Sequence, residues 1–539
     1  MSGIFLRFRK VFSNRAFTGA LVFVTFLYVF EEILFDFPQI RFFQIILIFR
    51  PLDEKLIAVL SGIASLAILF WFTWASLNLP SKVRIVPVFL LTVTSLVEYG
   101  FWKAVKRFMS SADLQIALST PYSTWKGAGA LYFDWRFILP VLGFGIVLLV
   151  FGEREKKTNS ARQFGALFLL LMVLCFSYTF TGISLSFGTS VTSFYQTIPR
   201  FIFDELRPSA RADVGFQQSV APKNNIVLVI DESIRGDHLS INGYRRDTTP
   251  FLDNLSQNTD LVRNWRLAVA GATCSYPSNA LILTGVRPGV DEFRMVETHP
   301  TVFQYAKAMG YETVYMDAQT NTFWNGLAPD DLEYIDMWIK AKDLGDDIQS
   351  DFRAADWIAK AVTNNKGKFI VLNKRGVHFL YENSYPADIE TWRPVPGEYT
   401  SQPELVTNPY DNGVLYNVNT FFERLLIDPQ ILADTTILYT SDHGQTLFEN
   451  GVSWLHCNYT PMEATIPLLM LGRNLPASSD ENFLASHSNI LPTLLDLMDV
   501  PDKFRLYPYA PSLFSPAFDV AGERWFFDGS LRLIEFHSP

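Results

Sequence analysis

Residues 225–250 read N-I-V-L-V-I-D-E-S-I-R-G-D-H-L-S-I-N-G-Y-R-R-D-T-T-P. An apolar run, 226–230, ends in two carboxylates, Asp231 and Glu232. A run that short and rich in β-branched residues reads as a buried parallel strand. In open α/β sheets, ligand chemistry sits just past the carboxyl ends of such strands. The two carboxylates are therefore either a cap for the next helix or part of a hard-metal site. The residues that bear on this choice lie far downstream.

From residue 225 onward, short apolar runs alternate with helical patterns. Strands are expected at 226–230, 313–317, 368–372, 436–440 and 466–471. Helices are expected near 250–258, 278–284, 301–309, 413–426 and 490–498. Such alternation implies a largely parallel sheet flanked by helices.

The rest of the chain is different. Of 539 residues, 49% are hydrophobic and 47 are Phe, and the excess lies before about residue 190. Five segments there, 16–35, 56–77, 83–101, 131–151 and 164–183, approach the ~20 residues that cross a bilayer. Lys and Arg favour the N-terminus and the second and fourth connections, which places those on the cytoplasmic side and everything after 185 outside. The segment 37–49 is too short to cross and is expected in the interface, as is the amphipathic connection 102–130. Glu98, near the outer end of the third span, reads either as a functional carboxylate or as one that snorkels outward. The domains expected are a five-helix transmembrane bundle at 1–185, a juxtamembrane bridge and linker at 186–222, and a catalytic domain at 223–539. The net charge of −9 argues against general nucleic-acid binding. Three cysteines, Cys175, Cys274 and Cys457, are too few for a disulfide framework or a cysteine zinc site.

A second strand-end pair, Asp442 and His443, follows T-I-L-Y-T and precedes Gly444. Carboxylate and imidazole side by side after a buried strand can reach one metal. Two such pairs in one α/β domain favour the metal reading over two unrelated turns. Between them lies G-A-T-C-S-Y-P-S-N-A-L-I-L-T-G, 271–285, small residues leading into a helix. Each of Thr273, Ser275 and Ser278 can be a simple cap. A hydroxyl beside a metal at a helix start can also attack phosphorus.

These motifs, in this order, resemble the alkaline-phosphatase/sulfatase superfamily. More narrowly, they resemble the bacterial inner-membrane phosphoethanolamine transferases that modify lipid A. The string E-S-I-R-G-D-H-L-S-I-N-G-Y-R-R-D-T-T-P is similar to that family's G-E-S-x-R-x-D-H-x-x-x-N-G-Y-x-R-x-T-x-P. S-D-H-G-Q-T-L-F-E-N-G-V-S-W-L-H is similar to S-D-H-G-E-S-L-x-E-N-G-x-Y-x-H, and S-H-S-N-I-L-P-T-L-L-D-L at 486–497 is a weaker match.

The resemblance implies an α/β alkaline-phosphatase/sulfatase-like domain in the periplasm behind five inner-membrane helices, as a monomer. It places metal ligands at Glu232, Thr273, Asp442 and His443, with zinc as the ion and manganese as the alternative. Thr273 is the implied nucleophile, and His456 and His378 hold the transferred group or act as acid and base. Gln319 falls roughly where the family keeps an asparagine near substrate. The implied reaction moves phosphoethanolamine from phosphatidylethanolamine to a lipid or glycan acceptor through a phospho-threonine. The alternatives are a phosphoglycerol transferase of the same superfamily and a sulfatase- or phosphatase-type hydrolase.

The sequence departs from the family at three places. Asp231 stands where the family usually has glycine. Thr273 lies four residues before Pro277 rather than five, and S-Y-P-S-N-A-L-I-L-T-G also resembles the sulfatase signature, which points to Ser275 as the alternative nucleophile. In that signature Asn279 replaces the arginine a sulfatase needs. The family's exported domain usually carries several disulfides, whereas only Cys274 and Cys457 are exported here, either paired or as two thiols.

Overall fold

The computed structural model describes 15–34, 52–105, 135–151 and short pieces at 109, 114, 191 and 194–198 of the N-terminal part. Beyond these it describes 211–537 outside 219–221, 258–260, 322–324, 364, 396–401, 450–455, 474, 476–483, 516–523 and 530. The chain divides into two compact units, Met1–Arg207 and Pro208–Pro539.

In the first unit, helices stand at four of the five expected spans: α1 (Arg15–Leu34), α2 (Leu52–Leu77), α3 (Ser81–Val105) and α4 (Trp135–Phe151). Among the described residues, Ser81–Lys103 is long and apolar enough to cross a membrane; the apolar parts of the other three are shorter. The fifth expected span, the 37–49 segment, the basic loop after α4 and most of 106–130 lie outside the described residues. Hydroxyls in these helices bond back onto their own backbone. Thr73 donates to the Leu69 carbonyl, Ser76 to Phe72 and Thr94 to Leu90. That is how a polar group is satisfied where water is scarce. Phe26 and Phe144 stack at 3.9 Å between α1 and α4. Glu98 is buried and accepts the Met109 amide at 3.1 Å.

The second unit is built on a seven-stranded sheet. Its strands are β1 (Asn225–Asp231), β2 (Val262–Val269), β3 (Glu312–Asp317), β4 (Met337–Ile339), β5 (Lys368–Asn373), β6 (Thr435–Ser441) and β7 (Thr465–Leu471), in the order β2-β7-β6-β1-β5-β3-β4. Pairing is parallel from β6 to β4, and β7 runs antiparallel to both β6 and β2. The domain is thus a mostly parallel α/β sheet. Strand β1 is central and buried along its whole length, which is why it reads as an unbroken apolar run rather than an alternating one.

Strand β2, at the edge, was not foreseen. Its V-R-N-W-R-L-A-V carries two arginines and bulges between Asn264 and Leu267, so its apolar period is broken. The helices that matter below are α5 (Pro250–Ser256), α6 (Ser275–Thr284), α7 (Val302–Ala308), α8 (Ser350–Val362) and α9 (Pro403–Val414). The helix expected at 413–426 is the end of a longer one. It continues α9 through a π-helical turn, Leu415–Thr420, into α10 (Phe421–Leu425). A four-residue α11 (Pro461–Ala464) and α12 (Ile490–Leu497) follow, with a small hairpin of β8 (Trp525–Phe527) and β9 (Leu533–Glu535).

Candidate active site

Strands β1 and β6 are hydrogen-bonded neighbours, with Asp231 level with Ser441. The ladder runs one step further, the Asp442 amide donating to the Asp231 carbonyl at 2.9 Å. That register brings Glu232, Asp442 and His443 to one end of the sheet, all buried. After Glu232 the chain reverses through Ser233, at φ 62°. Tyr410 of α9 holds the reversal: its hydroxyl donates to the Ser233 carbonyl at 2.7 Å and accepts the Arg235 amide at 2.8 Å. Gly444 leaves the site through a gap with no room for a Cβ, which would collide with the Met462 and Thr465 carbonyls.

Helix α6 delivers a hydroxyl to the same place. The Ser275 Oγ lies 3.2 Å from Glu232 Oε2 and 3.2 Å from His443 Nε2. Ser275 is the first residue of α6, so the helix N-terminus faces the group, which favours a bound anion. Two struts hold α6 there. The Ser278 hydroxyl donates to the Asp442 carbonyl at 2.5 Å. The His487 Nδ1 accepts the Gly271 amide at 3.0 Å, while its Nε2 donates to the Ser441 carbonyl at 2.9 Å. Burial pushes His487 down to about 3, so it is a neutral brace.

Thr273 differs from expectation. Its hydroxyl donates to the Asn458 carbonyl at 2.7 Å, its amide to Phe527 at 3.0 Å, and its carbonyl accepts the Cys457 amide at 2.7 Å. The two-residue offset to Ser275 places Thr273 in the extended lead-in to α6, where it pins the loop. Cys274 and Cys457 form a disulfide across the site, joining the residue before Ser275 to the residue after His456.

Three imidazoles gather around Glu232. The His443 and His456 ring centres are 4.4 Å apart, and those of His456 and His378 are 6.0 Å apart. Each Nδ1 faces a carbonyl oxygen: His443 that of Gly444 at 2.7 Å, His378 that of Phe379 at 2.7 Å, and His456 the side-chain oxygen of Gln445 at 3.2 Å. A carbonyl oxygen only accepts, so each Nδ1 carries hydrogen. Gln319 also reaches the site, its Nε2 donating to Glu232 Oε2 at 3.0 Å and to the Lys374 carbonyl at 2.7 Å.

The donor set fits a divalent metal. His443 Nε2 lies 3.6 Å from Glu232 Oε1 and 3.5 Å from Asp442 Oδ2. Ligands of one tetrahedral ion at 2.0–2.1 Å stand roughly 3.3–3.4 Å apart. Asp442 Oδ2 is buried and has no hydrogen-bond partner among the described residues, a costly arrangement for a carboxylate oxygen with no cation to meet it. Burial and the neighbouring Glu232 charge push Asp442 well above the usual carboxylate range. Glu232, equally buried, is held below its ordinary value by the three imidazoles. A cation between two such carboxylates removes their mutual repulsion. Glu232, His443 and His456 likewise bring ligand atoms within 4.8 Å of one another.

Glu232, Asp442, His443, His456, His378 and Gln319, each expected from the sequence, lie together here, and the hydroxyl in contact with them is Ser275, the alternative, while Thr273 bonds to Asn458. The sequence reading did not find His487, Gln445, Tyr410 or Lys374. His487 was visible only as part of the S-H-S-N stretch. The other three carry no local signal, because their partners lie in other elements.

The sulfatase family model matches residues 224–500. That is more than half of the chain, and the chain belongs to the sulfatase family. Among curated relatives, the Kdo(2)-lipid A phosphoethanolamine 7''-transferase of Escherichia coli (strain K12) is 27% identical over 260 residues, 46% of this chain and 44% of the relative. The phosphatidylethanolamine transferase Mcr-1 of Escherichia coli is 25% identical over 304 residues, 51% of this chain and 53% of the relative. The chain spans about half the length of the curated relatives it matches. Among solved structures, the integral membrane protein lipooligosaccharide phosphoethanolamine transferase A from Neisseria meningitidis aligns with a TM-score of 0.57 at 17% identity, over 81% of this chain and 88% of that one. The C-terminal periplasmic domain of EcEptC from Escherichia coli aligns at 0.50 with 22% identity, over 61% of this chain and 96% of that one. At these identities the likeness is one of fold.

Proposed function

We propose that this chain is a phosphotransferase that moves phosphoethanolamine from phosphatidylethanolamine to an envelope acceptor such as lipid A, through a phosphoserine at Ser275. One observation carries the choice of residue: Ser275 Oγ stands 3.2 Å from both Glu232 Oε2 and His443 Nε2, at the N-terminus of α6. The choice of transferred group rests on the relatives, two of which are named as phosphoethanolamine or phosphatidylethanolamine transferases.

Glu232, Asp442, His443 and Ser275 would hold the metal, with zinc as the favoured ion. When bound, such an ion supplies positive charge that lowers the pKa of a hydroxyl and offsets phosphoryl charge. Ser275 Oγ forms the new bond to phosphorus, and the bond from phosphorus to the diacylglycerol oxygen breaks. His456 Nε2 takes the serine proton and returns it to that leaving oxygen. In the second half, an acceptor hydroxyl loses its proton to the same imidazole and attacks phosphorus, and Ser275 leaves with the proton. Gln319 and His378 hold Glu232 and the transferred group in place.

The apolar helices of the first unit and the distribution of Lys and Arg support a multi-pass anchor in the bacterial inner membrane, with the catalytic domain in the periplasm. A lipid donor then lies in the membrane that carries the enzyme. The test is incubation of the purified chain with phosphatidylethanolamine labelled in its headgroup, followed by peptide mapping. Label on the 271–285 peptide at Ser275 supports the reading. Label at Thr273 restores the threonine as nucleophile, and no label with zinc present removes the transferase.

A further inference from the structure

The proposed chemistry makes no use of Asp231, although it is fully buried beside Glu232. Strands β1 and β5 are parallel neighbours, with Ile230 level with Asn373. Just past their ends, Asp231 and Lys374 form an ion pair with no exposed surface on either side chain. Lys374 Nζ donates to Asp231 Oδ2 at 2.5 Å and to the Asn417 carbonyl, in the π-helical turn, at 2.6 Å. It also stands 4.3 Å over the Phe421 ring. Tyr439 of β6 donates to the same Asp231 oxygen at 3.0 Å.

The pair is joined to the site at both ends. Asp231 Oδ1 accepts the Glu232 amide at 3.0 Å. The Lys374 carbonyl accepts Gln319 Nε2 at 2.7 Å, and that nitrogen also donates to Glu232 Oε2 at 3.0 Å. The contacts close a ring that runs from the Glu232 amide through Asp231, Lys374 and Gln319 to the Glu232 carboxylate. The same loop then carries His378. At Gly376, φ 55°, a Cβ would lie 2.5 Å from Asp231 Oδ1 and 2.7 Å from the Glu232 amide. One residue later, the Val377 amide donates to the Glu232 carbonyl at 3.1 Å.

We infer that the Asp231–Lys374 pair is a positioning element that fixes the Glu232 carboxylate, and the loop bearing His378, in the geometry the metal and substrate require. The inference rests on the metal reading of the site. A buried ion pair is often no more stabilising than an apolar pair of the same volume, so stability alone does not account for it. Groups that orient a metal ligand typically change affinity or activity 10–100-fold when removed, by order of magnitude.

The test uses the full chain in detergent, with zinc affinity read by competition against a chromophoric chelator, thermal unfolding without metal, and kcat and KM for donor lipid. Asp231→Asn and Lys374→Met are each expected to lower both the unfolding midpoint and zinc affinity. The double variant Asp231→Leu/Lys374→Met is expected to recover most of the midpoint, yet to bind zinc about 10–100-fold more weakly, with kcat reduced more than KM is raised. Full recovery of zinc affinity along with the midpoint overturns the inference and leaves the pair purely structural. Unchanged zinc affinity in both single variants also overturns it. Glu232→Gln separates the layers: if zinc binds that variant as it binds the wild type, the metal reading itself is wrong.

Discussion

Two loops meet at the site, and they are held there by different means. The loop after β1 is fixed by the sheet. Its neighbours in the ladder set Asp231 level with Ser441, which brings Glu232 beside Asp442 and His443, and Asp231 is paired with Lys374. The loop before α6 is not in the sheet at all. It is held by backbone bonds to Phe527 and Cys457, by side-chain contacts (Thr273 to Asn458, Ser278 to Asp442, Gly271 to His487) and by one covalent bond, Cys274 to Cys457. A strand end offers one residue per pleat and little freedom of register. A shift of one or two residues in such a loop changes which hydroxyl faces Glu232 and His443.

The sharpest way to break this comparison is to exchange the two hydroxyls. Ser275→Ala is expected to lower kcat by on the order of ten-thousand-fold, as loss of a nucleophile does. Thr273→Ala is expected to leave labelling of the 271–285 peptide intact and to cost about 1 kcal/mol of stability, one buried hydrogen bond. Label retained in Ser275→Ala and lost in Thr273→Ala reverses the assignment.

The next largest effect concerns the strand-end pair. Removing metal with a chelator, or replacing Glu232 by Gln, is expected to lower activity by roughly a hundredfold or more. Zinc should restore the wild type and not Glu232→Gln, as read by headgroup transfer before and after dialysis. Equal restoration of both would separate Glu232 from the metal.

The disulfide belongs to the loop and not to the sheet. Reduction, or the double replacement of Cys274 and Cys457 by Ser, is expected to destabilise the second unit by about 2–5 kcal/mol. Thermal unfolding with and without reductant reads this, and an unchanged midpoint would show that the loop's hydrogen bonds hold it without the disulfide.

The smallest effect is one of pH. His487 is pushed down from 6.5 to about 3 by burial, so the unfolded chain binds a proton there that the folded chain refuses. Stability from this group is complete above about pH 6.5 and is lost as pH falls towards 3. His487→Gln should flatten that part of the stability curve of the metal-free protein. A slope equal to that of the wild type would place the acid sensitivity elsewhere.

Much of this was legible along the chain. The unbroken apolar run of β1, the carboxylates at its end and the matching T-I-L-Y-T-S-D-H stretch define a parallel sheet with a site at its carboxyl edge. The period of two or 3.6 residues, and the change of character at a strand end, are local properties. The residues Glu232, Asp442, His443, His456, His378 and Gln319 could each be named from their motifs. Tertiary structure alone decided which of two hydroxyls, two residues apart, enters the site. It also decided that Cys274 meets Cys457, and that the Asp231 carboxylate meets Lys374. Those outcomes depend on partners up to 183 residues away. The distance between Ser275 Oγ and Glu232 is set by how α6 packs on α12 and bonds to Asp442, and no spacing in the sequence encodes it.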